Sequence, residues 1–140
     1  ANDFPKEKVD LAIIFISSND LLKFSSLKEF EINANKVPQK YSGITKKLIV
    51  VGPANIGLAA IVPIILRPVY LYIAPKYAAI LKKACGKFSN VIYINSLKPP
   101  KKLGKYKNSY YSSDKFHPND EGHKFWFEMV KPYLYVENIP

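Results

Sequence analysis

Three short apolar runs, none of them alternating with polar residues, set what this chain can fold into. They are VDLAIIFI at 9–16, KLIVV at 47–51 and NVIYI at 90–94. A run of four to eight β-branched and aliphatic residues without alternation reads as a strand covered on both faces, as in a parallel sheet. Each run stops at turn residues: Ser17-Ser18-Asn19-Asp20, then Gly52-Pro53, then Asn95-Ser96. The intervening segments carry helical spacing. One extends over about 27–41; another over about 75–88, where Ala78, Leu81, Cys85 and Phe88 share a face, with Pro75 in its first turn and Gly86 near its end. A last helix is predicted over about 120–133, with Phe125, Met129 and Val130 as core contacts. Strands separated by helices predict an α/β fold, a parallel sheet with helices on both faces. In such sheets ligands bind beyond the carboxyl ends of the strands.

A chain of 140 residues fits one domain, 1–140, with enough apolar content (48%) for a real core. A single cysteine, Cys85, rules out an internal disulfide and reads as a small core residue. The longest apolar stretch, 56–66, is too short to span a bilayer. The net charge of +10 comes from lysines and one arginine, Arg67. Readers of base sequence lean on arginine forks, so no nucleic acid partner is expected. One cluster, Lys98, Lys101, Lys102, Lys105 and Lys107 beside Tyr106, Tyr110 and Tyr111, would suit peripheral contact with an anionic surface.

The chemistry-bearing stretch is Ser112-Ser113-Asp114-Lys115-Phe116-His117-Pro118-Asn119. A carboxylate beside an imidazole fixes its tautomer and stabilises the imidazolium formed when the ring takes a proton. Pro118 keeps His117 out of helical geometry. Asn119 then caps the helix, with Asp120 and Glu121 in its first turn. His117 is thereby mounted on a short, stiff loop. Two histidines six residues apart, one explained by its acid, make no ligand set, so no metal and no cofactor are expected.

Ser17-Ser18-Asn19-Asp20-Leu21 directly after a buried strand, together with Asp114-Lys115-Phe116-His117-Pro118 before the last helix, resembles the SGNH hydrolases, or GDSL esterases and lipases. The resemblance runs from about Val9 to Val130. It implies a three-layer α/β/α sandwich, flavodoxin-like, with strand order 2-1-3-4-5, of which this chain supplies strands three to five. It implies His117 as general base, Asp114 as its orienter and Asn19 as an oxyanion donor. Asp20 would tie down the loop after the strand, and His123 would be a packing or surface residue. Two departures are plain. Ser17 stands where the family has glycine, and the Gly-Asp-Ser nucleophile motif and the family's second glycine motif are absent. The resemblance therefore implies a nucleophilic serine upstream of Ala1, and a missing amino-terminal segment or second copy pairing with strand 9–16, which would otherwise expose an apolar edge and two apolar faces. The spacing of Phe24, Phe30 and Ile32 after Asn19-Asp20 leans toward the aryl-esterase branch.

The apolar stretch 54–72 reads either as a wall for an acyl chain or as a short helix folded onto the core, kinked at Pro63 and Pro68. Three classes follow: a serine ester hydrolase acting on small-molecule or lipid esters, a non-catalytic binding or assembly module, and a basic surface protein for nucleic acid or an anionic membrane.

Overall fold

The computed structural model describes residues 8–59, 61–104 and 107–135, so Lys105 and Tyr106 of the lysine cluster lie outside the described residues. The three apolar runs form strands β1 (Val9–Phe15), β2 (Thr45–Gly52) and β3 (Val91–Asn95). They pair in parallel in the order β1-β2-β3, with Ile14 opposite Val50 and Gly52 opposite Asn95. All three carboxyl ends therefore lie along one edge of the sheet.

Among the described residues four α-helices surround it: α1 (Ser18–Leu22), α2 (Leu27–Ser42), α3 (Arg67–Cys85) and α4 (Asp120–Val130). Leu48 and Val50 of β2 pack on Cys85 of α3, with Ala12 and Ile14 of β1 against the same cluster. Their neighbours Ile49 and Val51 face the other way, onto Phe125, Met129 and Val130 of α4. Helices α2 and α3 thus cover one face and α4 the other, a three-layer sandwich. Two right-handed crossovers that advance across the sheet in one direction put both connecting helices on the same side. The two meet through Phe30 and Tyr77, whose ring centroids are 4.1 Å apart, and the Tyr77 hydroxyl donates to the Ser25 carbonyl.

Strand β2 is buried on both faces from Leu48 onward, as its unbroken apolar run predicts. Strand β1 is not. Ala12 and Ile14 are half-buried beneath the α2–α3 layer, while Leu11, Ile13 and Phe15 on the opposite face are 37, 40 and 55% exposed. The expectation of two exposed faces is corrected to one, because α2 returns over β1 on its way to β2. The far face is reached only at its end, where Phe15 meets Trp126 edge-on at 5.4 Å. Among the described residues no strand pairs with the outer edge of β1.

Helix α3 begins eight residues before the predicted start. Pro68 occupies its first turn and Pro75 lies inside it. An interior proline costs roughly 3 kcal/mol in an isolated helix. Here Tyr70, Ala74, Tyr77, Ala78, Leu81, Ala84 and Cys85 form a continuous buried stripe, and tertiary burial outweighs that cost. The segment Ile64–Cys85 is long and apolar enough to cross a membrane by length and composition, but its buried stripe belongs to the core. Helix α2 tolerates Pro38 in the same way. Burial raises the Cys85 thiol to about 11, in keeping with a small core residue. In the lysine cluster, Tyr110 stacks on Phe125 with centroids 5.4 Å apart while Lys101, Lys102 and Lys107 stay exposed.

Candidate active site

The carboxyl end of β1 turns sharply. The Ile16 amide donates to the Val51 carbonyl (3.1 Å), and Ser17 takes a left-handed conformation with φ 77°. Glycine is the residue that adopts this region without steric cost, and Ser17 is the position where the family pattern has one. The close approach that a glycine allows is supplied from the neighbouring strand. A Cβ on Gly52 would lie 2.4 Å from the Ile16 carbonyl oxygen and 3.0 Å from Ser17 Oγ. The bare backbone of Gly52, followed by a cis bond to Pro53, lets the two strand ends touch. Helix α1 starts immediately, anchored by the fully buried Leu21, and places Asn19 at its first turn.

The second element is the loop before α4. Tyr111 and Pro118 form an antiparallel bridge, and the Ser112 amide donates to the His117 carbonyl at 2.8 Å. Asn119 closes it: its amide nitrogen Nδ2 donates to the carbonyls of Ser109 and Tyr111 (2.8 and 3.1 Å), while its Oδ1 accepts from the Gly122 amide (3.1 Å) as the N-cap of α4. Within this frame Lys115 turns left-handed, φ 60°, and folds Asp114 back over the two residues that follow. Asp114 Oδ1 accepts from the Phe116 and His117 amides, each at 3.0 Å, and Oδ2 lies 2.6 Å from His117 Nδ1.

The imidazole bond, followed by the two amides, holds the Asp114 carboxyl down to about 2. An ionised Asp114 can only accept, so Nδ1 carries the proton and Nε2 of the neutral ring keeps its lone pair. An acid held this far below its ordinary ~3.9 contributes loop stability that is complete above about pH 4 and disappears as pH falls toward 2. Carboxyl chemical shifts followed by NMR should place the Asp114 midpoint near 2, and His117→Ala should return it toward the ordinary value. A midpoint at the ordinary value in the unsubstituted protein would contradict the bonded geometry.

Both elements open on one cavity of about 420 Å³ at the carboxyl edge of the sheet. Asn19 and His117 both line it, together with Phe15, Phe116, Trp126 and Met129. The walls are apolar and the polar groups few, the usual make-up of a small-molecule site. The sheet thus brings together the two motifs that lie nearly a hundred residues apart in sequence. Asp114 reaches the site through His117. Phe30 lies in the core against Tyr77, and neither it nor Phe24 nor Ile32 lines the cavity, so the lean toward aryl esters gains nothing from the structure.

Among the lining residues that the sequence does not assign to the site, His123, Ser96 and Asn55 are polar side chains at places of interest. His123, expected to be a packing or surface residue, lines the cavity from the first turn of α4. Ser96 sits at the end of β3, its hydroxyl donating to the Pro53 carbonyl at 2.7 Å. Asn55 follows β2, and its Oδ1 is buried without a hydrogen-bond partner. Asn55 and Ser96 carried a usable signal, since residues just past a strand's carboxyl end line the crevice. Among the described residues no three of His, Cys, Asp or Glu converge to hold a metal ion.

The model of the GDSL-like lipase/acylhydrolase family matches residues 1–130. The chain belongs to that family. Among solved structures, this GDSL-like chain resembles a mutant of an acetyl-xylooligosaccharide esterase from Geobacillus stearmophilus, with a TM-score of 0.64 at 15% identity. The likeness covers 94% of this chain and 62% of that one, so the GDSL-like chain spans less than two thirds of the esterase's length. At that identity the likeness shows a shared fold. Comparison with curated proteins gives no match.

Proposed function

We propose that this chain forms the base-and-oxyanion part of a serine ester hydrolase. The observation that carries the reading is the placement of a carboxylate-held histidine, His117, and a side-chain amide, Asn19, on the same apolar cavity. In the proposed reaction His117 Nε2 takes the proton of a serine hydroxyl as the oxygen attacks the ester carbonyl. The Asn19 amide donates to the oxyanion of the tetrahedral intermediate. The imidazolium, steadied by Asp114, then returns its proton to the departing alkoxide, and water repeats the sequence on the acyl-enzyme.

The serine itself is proposed to come from a segment added along the open edge of β1, whose exposed face (Leu11, Ile13, Phe15) ends at the cavity. Of the hydroxyls in the cavity wall, that of Ser96 is committed to Pro53. The apolar lining suits a small acyl or lipid ester. A fluorophosphonate probe applied to the full-length protein, with the adduct mapped by mass spectrometry, tests this. The expected adduct is on a serine outside residues 1–140 and is lost in His117→Ala. An adduct on Ser18 or Ser96 would overturn the placement of the nucleophile. Folded protein that takes no label would favour the non-catalytic binding module.

A further inference from the structure

The apolar segment after β2 divides its side chains between two directions. Ile56, Ala59 and Val62 turn inward and are buried in the core. Ile61, Ile64 and Ile65 turn outward, and the last two are 79 and 83% exposed. The outward face continues onto the first turns of α3 through Val69 and Tyr72. Neither the core nor the cavity uses these side chains. Contiguous exposed apolar surface of this kind marks a docking site more often than chance.

Its charge setting is one-sided. Between Glu31 and Asp114 the chain has no acidic residue at all. The cations near the patch include Arg67, whose Nε donates to the Val62 carbonyl (3.3 Å), and Lys76, whose ammonium sits 3.9 Å from the centroid of the Tyr72 ring. Lys115 adjoins it too, because the Ile61 amide donates to the Lys115 carbonyl at 3.3 Å. The nearest acid on that loop, Asp114, is ionised and bonded to His117, one negative charge against the three cations Arg67, Lys76 and Lys115. An isoleucine tip, a tyrosine and a lysine or arginine border together match the apolar-plus-basic surface that lies in a lipid headgroup layer.

We propose that the outward face of residues 61–72 docks on an anionic lipid bilayer, with Ile64 and Ile65 entering the headgroup region and the surrounding cations meeting lipid phosphates and carboxylates. A second copy of the chain is a poorer occupant. A two-fold interface would set this cationic border against itself, and like charges across an interface are strongly unfavourable. Nor does the patch belong to the open sheet edge: α3 packs over β2 and β3, and the groove beside Leu71 and Pro75 is bounded by Tyr93 and Lys98, on the side away from β1. The Ile61–Lys115 bond ties the patch to the loop that carries His117.

Flotation of the full-length protein with vesicles of phosphatidylcholine and phosphatidylserine, against phosphatidylcholine alone, tests the inference without reference to hydrolysis. Binding should require the anionic lipid, weaken as salt rises, and fall by about tenfold or more in the Ile64→Ser, Ile65→Ser double variant. Ile32→Ser, at an exposed position on α2, should leave it unchanged. Failure to bind mixed vesicles, or an equal loss in Ile32→Ser, would overturn the proposal. So would a concentration-dependent dimer, seen by light scattering, that the double variant abolishes. Because the readout is lipid binding, a negative result leaves the serine-labelling outcome untouched, and the reverse holds as well.

Discussion

His117→Ala should lower ester hydrolysis by the full-length protein by roughly 10²–10⁴-fold, through kcat and with little change in KM. A positioned base acts in the step that creates the nucleophile, and the apolar walls that bind substrate remain in place. His123→Ala is the informative partner. Both imidazoles line the cavity, but only His117 has a carboxylate 2.6 Å from Nδ1 to fix its tautomer. His123→Ala should therefore retain most of the rate and move KM instead. Asp114→Asn should resemble His117→Ala more than His123→Ala, because a side-chain amide in place of the carboxylate no longer enforces a proton on Nδ1. Equal losses in the two histidine variants would remove His117 from the role assigned to it. Steady-state rates on a short-chain aryl or alkyl ester, with circular dichroism to confirm folding, are sufficient.

Gly52→Ala should be among the most damaging single-methyl additions in the chain. The new Cβ would stand 2.4 Å from the backbone carbonyl oxygen of Ile16, and a carbonyl in a paired strand end cannot swing aside as a flexible side chain can. Overpacking costs about 1–3 kcal/mol where neighbours can adjust, and this site belongs at or above the upper end. The damage is also directional. Pushing Ile16 away from Gly52 displaces Ser17, and with it the turn of α1 that carries Asn19. Denaturant unfolding should show a lower midpoint with an unchanged slope. Gly43→Ala supplies the contrast. Nothing lies within 4 Å of a Cβ there and its φ is −73°, so it should be neutral or gain a few tenths of a kcal/mol from lost freedom in the unfolded chain. A stable Gly52→Ala protein would mean that the two strand ends are not in tight contact.

The sheet was legible because its signal is local and redundant. Each strand lies within two residues of its apolar run, and each ends at the turn residues that interrupt it. Helix α2 and the Asn119 cap of α4 followed from spacing and capping chemistry for the same reason. The start of α3 did not, because Pro75 is a strong local punctuation mark and its cost is overridden only by a buried stripe that local rules do not see. Helix α1 is not legible in the sequence, since five residues carry no periodicity. The exposed face of β1 shows the limit of run-based reading. VDLAIIFI is apolar on both sides, and nothing in those letters tells which side the neighbouring helices cover. In the site, the acid–imidazole pair was legible because four consecutive residues suffice to build it. The contribution of His123 depends on how α4 packs against β2, which no short pattern encodes, whereas Asn55 and Ser96 were open to reading from their places just past strand ends.

The two candidate groups on the cavity are secured in unlike ways. The Asp114–His117 unit is wired by its own amides within four residues, inside a frame closed by the Tyr111–Pro118 bridge and the Asn119 side chain. Asn19 rides on a helix of five residues, pinned by one leucine and by the contact of two strand tips. Warming or mild urea would loosen that perch long before the sheet gives way. On the proposed roles, the base would then stay assembled while the oxyanion donor is lost, and turnover of the full-length protein should fade ahead of any spectroscopic sign of melting.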